Sequence, residues 1–288
     1  MPERLKILAR PTMRQANMVL GFSGWMNGGE ASTGTVETLA AKLGARPLAE
    51  MDPAEFSVLS FPGPMEVAAL LRPHVKIEEG LITGFQGPAN TFSHCEQANL
   101  VLLAGREPNL KWDQYADGLF EVASLCDVSA IYFVGSVAAL VPHTRRPRLH
   151  ASVSDEALKG KLEQYQVRFS NYEGPASFST YLTCRCAERG LPMVNLVAEV
   201  PVYVQGRNFR CIETVVRWLA GALGLQLNLD DLRRHADRLE ERLNEAVAKH
   251  PELLERIGKL EEDYDNEVFD TQMGDLKDWL EQKGIRLD

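Results

Sequence analysis

The chain has 288 residues, of which 45% are hydrophobic and 25% are charged, and these proportions are typical of a globular protein with a sizeable core. Its 31 Lys and Arg residues against 40 Asp and Glu residues give a formal net charge of −9. Because no basic surplus is available to neutralise phosphates, the composition argues against a nucleic-acid partner.

The cysteines and the apolar runs indicate the compartment. The five cysteines are an odd number and include no CxxC pair, so we expect neither a disulfide framework nor a bound metal. The opening segment MPERLKILARPTMRQ has no apolar run of signal-peptide length, and no stretch approaches the roughly 18 uninterrupted apolar residues of a membrane span. We therefore expect a cytoplasmic protein without a membrane partner.

The apolar periodicities predict strands that alternate with helices. A strand at 18–22 leads through a glycine turn into a helix at 31–43. Six prolines break residues 44–98 into short pieces, among them a short helix at 65–71 and a strand at 81–85. Regular elements then return as the strands 99–104, 130–134 and 193–200 and the helices 112–125, 179–189 and 210–223. This alternation predicts an α/β fold with helices layered on a mostly parallel or mixed sheet.

The last part of the chain differs in composition from the rest. Residues 230–288 hold 18 acidic and 10 basic residues, so this segment alone contributes −8 to the net charge. Its periodicity predicts two long helices, the second starting near Pro251, and a third short helix around Trp279. We expect a core domain at 1–227 and an acidic helical appendage at 228–288. The appendage would pack on the core or on a neighbouring subunit, with a partner-binding arm as the alternative.

The turn after the first strand is the first candidate for ligand binding. The stretch from Gly21 fails the GxSxG nucleophile motif because Trp25 stands where the second glycine is needed, and no phosphate-binding or dinucleotide glycine motif is present, so we expect no cofactor. The amides of Asn27, Gly28 and Gly29 could hold an anion at the helix start, with the side chains beside them, Ser23 and Trp25, contributing. The alternative is that the glycines only permit a tight turn and close helix–sheet packing.

His143 lies in the loop after the third core strand and is flanked by Thr144 and Arg145. Ligands of open α/β sheets collect beyond the carboxyl ends of the strands, so we expect this loop to face the same cleft as Asn27. His143 is the best candidate for a general base, and Thr144 and Arg145 are candidate ligand contacts, with Arg145 also a catalytic candidate. The alternative is that His143 fixes its loop by hydrogen bonds.

Three further loop residues complete the candidate set. Glu107 is a third catalytic candidate, and Tyr172 and Glu173 are candidate ligand-binding residues. For each of them the alternative is a turn-capping or packing role. None of the candidates completes a known catalytic signature.

Five segments occur in an order and at a spacing that are typical of one protein family: GFSGWMNGGEAS, LLAGREPNLKW, VPHTR, NYEGP and AEVPVYV. Together they resemble the archaeal and bacterial branch of the proteasome assembly chaperone family, over residues 15–265. The resemblance implies an α/β/α core similar to purine nucleoside phosphorylases and a homo-oligomer, with a trimer favoured. It implies no established reaction, since some members act as assembly chaperones for proteasome subunits and others are described as ATP-dependent carboligases.

The chain departs from the family pattern at three places. Asn27 and Gly28 replace the Asp-Ala pair of the usual WxDAG, and Val202 stands where the family pattern VPHYV has its histidine. These two changes remove a carboxylate and a histidine from the expected cleft. The last three residues, 286–288, read Arg-Leu-Asp and lack the hydrophobic–Tyr pair with which chaperones that dock on proteasome rings often end.

Two functions agree with these observations. The first is a non-catalytic, homo-oligomeric interaction protein or assembly-chaperone-like protein, which binds itself and another protein. The second is an enzyme acting on a nucleoside or a small anionic metabolite, phosphorylase-like or ATP-dependent ligase-like. In that enzyme Asn27 and the nearby amides would hold the anion, while His143 and Arg145 would act on the substrate. Either the interaction protein or the enzyme could also bind a small anionic ligand in the cleft.

Overall fold

A mixed β-sheet of nine strands lies at the centre of the computed structural model, which describes residues 4–69 and 71–282. The strands of the chain are β1 (Leu5–Ile7), β2 (Ala16–Ser23), β3 (Arg46–Met51), β4 (His74–Glu78), β5 (Leu81–Gln86), β6 (Thr91–Cys95), β7 (Leu100–Arg106), β8 (Val128–Ala139), β9 (Leu149–Val153), β10 (Arg168–Phe169) and β11 (Met193–Pro201). In the sheet they follow the order β1, β3, β6, β7, β2, β8, β11, β9, β10, while β4 and β5 form a separate hairpin.

The centre of the sheet is parallel and its flanks are mixed. β7, β2, β8 and β11 are parallel neighbours. β6 joins β7, and β9 joins β11, through antiparallel pairs. The parallel strands are nearly continuous apolar runs, as in the LVLLA of β7, because both of their faces are covered.

The helices lie on both faces of this sheet. They are α1 (Ala31–Leu43), α2 (Met65–Ala69), α3 (Trp112–Leu125), α4 (Ala157–Leu162), α5 (Phe178–Glu188), α6 (Phe209–Leu223), α7 (Asp230–Ala248) and α8 (Pro251–Gln282). Successive side chains of β2 point to opposite faces: Met18 and Leu20 pack in one buried cluster with α3 and α5, and Val19 packs in another with α1 and α6. The predicted three-layer α/β/α class is therefore confirmed.

The C-terminal helices correct one expectation. Instead of a separate short helix around Trp279, the single helix α8 continues to Gln282. No proline follows Pro251 in this stretch, and the isolated glycines Gly258 and Gly274 weaken a helix by about 1 kcal/mol each without ending it. Residues 286–288 lie outside the described part of the chain. Among the described helices, none combines the length and apolarity needed to cross a membrane.

Candidate functional site

Three of the candidate loops lie at one edge of the sheet. Because β2, β7 and β8 are parallel neighbours, their carboxyl ends meet at the same edge. Residues 25–29 follow β2, Glu107 follows β7, and residues 143–145 lie in the loop after β8. The topology thus places these loops at the edge where ligands of α/β sheets collect.

The two glycines after β2 lie against neighbouring backbone. A Cβ atom at Gly28 would be 3.3 Å from the carbonyl carbon of Val137, and one at Gly29 would be 2.8 Å from Cβ of Asn208. The Gly28 carbonyl accepts a hydrogen bond from the Ser136 hydroxyl at 2.7 Å, and the Gly29 carbonyl accepts one from the Asn208 N–H at 2.8 Å. Gly29 also has a φ of +58°. These contacts support the alternative in which the glycines allow close packing.

Asn27 turns its side chain toward the start of α1. Its Oδ1 accepts a hydrogen bond from the Thr33 N–H at 3.2 Å, and its carbonyl accepts one from the Glu30 N–H at 3.1 Å. Asn27 therefore stabilises the first turn of the helix. Nearby, the Ser23 hydroxyl donates to the Gly105 carbonyl at 3.4 Å.

Glu107 joins two segments of the backbone. One carboxylate oxygen accepts a hydrogen bond from the Trp25 N–H at 2.8 Å, and the other accepts one from the Phe178 N–H at 3.1 Å. Phe178 is the first residue of α5, so the carboxylate also lies at the positive end of that helix. The arrangement fits the capping alternative. The indole of Trp25 itself is 73% exposed.

His143 is buried and is hydrogen-bonded at both ring nitrogens. The Tyr203 hydroxyl accepts a hydrogen bond from the His143 backbone N–H and lies 2.8 Å from Nδ1, while Nε2 lies 3.1 Å from Oδ1 of Asn244 on α7. If the hydroxyl donates to Nδ1 and the Nε2–H donates to Asn244, every group is satisfied with a neutral ring. A ring engaged at both nitrogens is placed to fix the loop, and it reaches a substrate proton only after one of these partners moves.

The two residues after His143 bind α8. Arg145 donates through Nε and Nη2 to the two carboxylate oxygens of Asp265, both at 2.8 Å. The Thr144 hydroxyl donates to Glu261 in a short hydrogen bond. The hydrogen bond from Arg145 holds the pKa of Asp265 below its ordinary value. The polar atoms expected to contact a ligand thus contact carboxylates of the same chain.

A second group of charged side chains adds to the contact between the loop after β8 and α8. Arg148 lies 2.8 Å from Glu267 and stacks on the Tyr264 ring at 4.1 Å, and His150 lies 2.9 Å from Glu199 on β11. Burial raises the pKa of Glu199, but the hydrogen bond from His150 and the positive charge of Arg148 outweigh it and hold the pKa below its ordinary value. In this cluster, carboxylates of α8 and β11 therefore lie beside a mostly buried arginine of opposite charge.

The helix α7 leaves little space above this edge of the sheet. The remaining cavity has a volume of about 20 Å³, enough for a single water molecule. Its walls include His143, Arg145, Glu199, Arg210 and Glu240. In this arrangement the cavity beside His143 is too small for a metabolite.

Tyr172 and Glu173 lie on the exposed loop before α5, the helix whose first residue, Phe178, binds Glu107. The Tyr172 hydroxyl donates to the Pro175 carbonyl at 3.1 Å, within its own loop. Among the described residues, no hydrogen bond or ion pair joins this loop to His143. The described residues also include no cluster of three or more His, Cys, Asp or Glu side chains that could hold a metal ion.

Sequence reasoning missed the partners that the candidates actually contact. Asn244, Glu261 and Asp265 lie 101, 117 and 120 residues from the loop residues they bind. The one signal in the sequence was complementary charge between the basic loop 143–148 and the acidic stretch 261–267.

Comparison with known proteins gives the family. The PAC2 family model matches residues 21–247. Among solved structures, the chain is similar to a Mycobacterium tuberculosis protein of unknown function, Rv2714, with 23% identity, a TM-score of 0.83, and 96% of this chain and 93% of the other covered. The M. tuberculosis proteasome-assembly chaperone homologue Rv2125 has 28% identity and a TM-score of 0.70, over 84% and 99% of the two chains.

An archaeal structure shares the fold. The Pyrococcus furiosus proteasome activator PbaB has 19% identity and a TM-score of 0.62, with 84% of this chain and 97% of the other covered. A search among curated proteins returned no match. The family model spans well over half of the sequence and agrees with the resemblance carried by the five motifs, so the chain belongs to the PAC2 family.

Proposed function

We propose that this protein is a homo-oligomeric interaction protein of the assembly-chaperone type, which acts in the cytoplasm through its surfaces and not by catalysis. The observation that carries the proposal is an exposed apolar segment, residues 57–69 and 71–86, which we call the hairpin arm. It contains eight of the 18 large apolar side chains that are exposed among the described residues. A concentration of this kind marks a surface that a protein partner covers.

The hairpin at the end of this arm has one apolar face. Val75 lies opposite Phe85, and Ile77 lies opposite Ile82, so the four side chains share a face of the two strands. They are between 45% and 71% exposed. Because an isolated two-stranded hairpin is marginally stable in water, a second surface packed on this face would stabilise it. We assign the face to a second copy of the chain, with a trimer favoured by the family resemblance.

Two further observations support a binding function. Rv2125, which is described as a proteasome-assembly chaperone homologue, is 28% identical over 84% of this chain. The three catalytic candidates His143, Arg145 and Glu107 are all engaged in hydrogen bonds that hold loops or helices together. A proteasome subunit is therefore the first partner to test beside the chain itself.

Affinity capture tests the proposal. The wild-type chain should retain a defined protein from lysate of its native host, identified by mass spectrometry, and the arm variant Ile82→Lys/Phe85→Lys should lose it or lose self-association. The variant Leu253→Lys/Leu254→Lys, which changes two exposed apolar residues of α8, is the matched control. Turnover of a nucleoside or phosphorylated metabolite that survives in the arm variant and disappears in His143→Ala would instead establish the enzyme hypothesis.

A further inference from the structure

Four arginines lie beneath α7 and α8 at the same edge of the sheet. Arg145 and Arg148 belong to the loop after β8, Arg168 begins β10, and Arg210 lies in the first turn of α6. Arg145 and Arg210 line the same small cavity, and Arg148 and Arg168 share Glu267 as a partner. Their side chains are between 11% and 33% exposed, so most of this positive charge is covered.

The groups that cover the arginines are carboxylates of the two C-terminal helices. Arg210 lies 2.7 Å from Asp237 and 2.7 Å from Glu240, both on α7. Arg145 binds Asp265 of α8 through two parallel hydrogen bonds of 2.8 Å. This paired geometry is the one in which a guanidinium group also binds two oxygens of a phosphate. The helices therefore place carboxylates where phosphate oxygens would fit.

Few apolar contacts hold α7 and α8 over the arginines. α7 buries Leu232 and Ala236, and in the stretch of α8 whose side chains the structure describes, 251–269, Ile257 is the buried apolar residue. The carboxylates in the ion pairs are between 29% and 54% exposed, and pairs this accessible to water contribute little to stability. Segments with few buried contacts open at low free-energy cost, so an anion can compete with α8 for the arginines.

We propose that the four arginines form a binding site for a small molecule that carries two or more linked phosphate groups, and that carboxylates of α7 and α8 occupy this site until the ligand displaces them. Several phosphates are required because the ligand must replace five carboxylates distributed over two helices, while Glu199 of β11 stays beside Arg148. A compact ligand fits better than an acidic polypeptide, because Arg145 and Arg210 line one small recess at the strand ends, and Arg148 and Arg168 share a single carboxylate partner. The site goes beyond the proposed binding function and does not involve the hairpin arm.

Titration calorimetry with inorganic triphosphate at constant ionic strength tests this site. Neutralising the competing carboxylates in Glu261→Gln/Asp265→Asn leaves all four arginines in place, so this variant should bind triphosphate at least fivefold more tightly than the wild type. Arg145→Ala/Arg148→Ala should bind at least tenfold more weakly. The control Arg189→Ala, whose arginine pairs with Asp117 and stacks on Phe120, should bind like the wild type.

Hydrogen exchange of the α8 backbone provides the second measurement. Triphosphate should accelerate exchange across 251–269 in the wild type while the strands of the central sheet stay protected. Absence of binding in Glu261→Gln/Asp265→Asn would overturn the proposal, and so would equal binding by the Arg145→Ala/Arg148→Ala and Arg189→Ala variants. Orthophosphate that binds as tightly as triphosphate would overturn the requirement for linked phosphates. Binding without faster exchange of α8 would overturn the displacement of the helix.

Discussion

Ser32 joins β2 to β8 from the first turn of α1. Its hydroxyl accepts a hydrogen bond from the Phe22 N–H at 2.9 Å and donates to the Val134 carbonyl, and the side chain is fully buried. We expect Ser32→Ala to lower the free energy of unfolding by about 1–3 kcal/mol, because it leaves a buried donor and a buried acceptor without their partner. Urea denaturation followed by circular dichroism measures this difference.

Thr38 provides the matched control for this substitution. Its hydroxyl donates to the Gly34 carbonyl at 2.7 Å within the same helix, and the residue is only half-buried. Thr38→Ala should therefore change the free energy of unfolding by no more than about 0.5 kcal/mol. Equal losses in the two variants would show that the hydroxyl of Ser32 has no special role between the strands.

Glu107 allows a second test at the scale of single residues. Glu107→Ala removes the acceptor of the Trp25 and Phe178 N–H groups, so these two amides should exchange with solvent about tenfold faster, equivalent to about 1.4 kcal/mol. Hydrogen exchange followed by NMR resolves the two amides. Glu55→Ala, which removes the exposed partner of Lys111, should leave both rates unchanged. Unaltered rates in Glu107→Ala would mean that other contacts hold the turn and the start of α5.

At the scale of elements, α8 is attached mainly by charge. Its carboxylates at Glu261, Asp265 and Glu267 meet the arginines of the loop 143–148 and of β10. Raising the salt concentration from 0.1 M to 1 M shortens the Debye length from about 10 Å to about 3 Å and weakens such pairs. We expect the protection of α8 amides at 251–269 to fall while that of β2 is unchanged. Equal loss of protection in α8 and β2 would indicate general destabilisation instead.

The ion pairs between α8 and the loop 143–148 should weaken as the pH falls. The pKa of Asp265 on α8 lies below its ordinary value of 3.8, because Arg145 donates a hydrogen bond to its carboxylate. Lowered pKa values stabilise the docked state above the ordinary pKa, and this contribution is lost as the pH falls through the lowered value. Protection of α8, corrected for intrinsic exchange rates, should be constant from pH 7 to pH 5 and fall below pH 3.8. A decline already complete at pH 5 would assign the dependence to other groups.

The sequence predicts the central elements better than the flanking ones, for a physical reason. β2, β7 and β11 are apolar runs and were recognisable without any knowledge of their neighbours. β3 and β6 were missed because their pairing carries no such pattern: Pro47 interrupts β3, and the register with β6 shifts between Pro47 and Ala49. A strand of this kind is specified by the strands beside it.

For the candidate site, the sequence predicts the loops but not their partners. The order of strands and helices was enough to bring Asn27, Glu107 and His143 to one edge of the sheet. Nothing local indicates that Asn244 would bind His143 or that Asp265 would bind Arg145, because these contacts depend on how α7 and α8 return over the core. Long-range packing therefore decides whether a polar residue is available to a ligand.

At the scale of the whole molecule, the hairpin arm should determine the assembly state. The wild type should sediment at a multiple of 32.1 kDa, with three copies favoured, because the proposed oligomer covers the apolar face of β4 and β5 that is exposed in the isolated chain. Ile82→Lys/Phe85→Lys places charges on that face and should give a 32.1 kDa monomer. Its core should remain folded, since both residues are exposed in the isolated chain.

The control for this experiment is Leu253→Lys/Leu254→Lys, which alters exposed apolar residues of α8 and should keep the wild-type mass. Sedimentation equilibrium at micromolar concentration separates the outcomes, and circular dichroism verifies that each variant is folded. A wild-type chain that sediments as a monomer refutes self-association. If the oligomer persists in the arm variant but dissociates in the α8 variant, the interface is formed by the acidic helices and not by the hairpin.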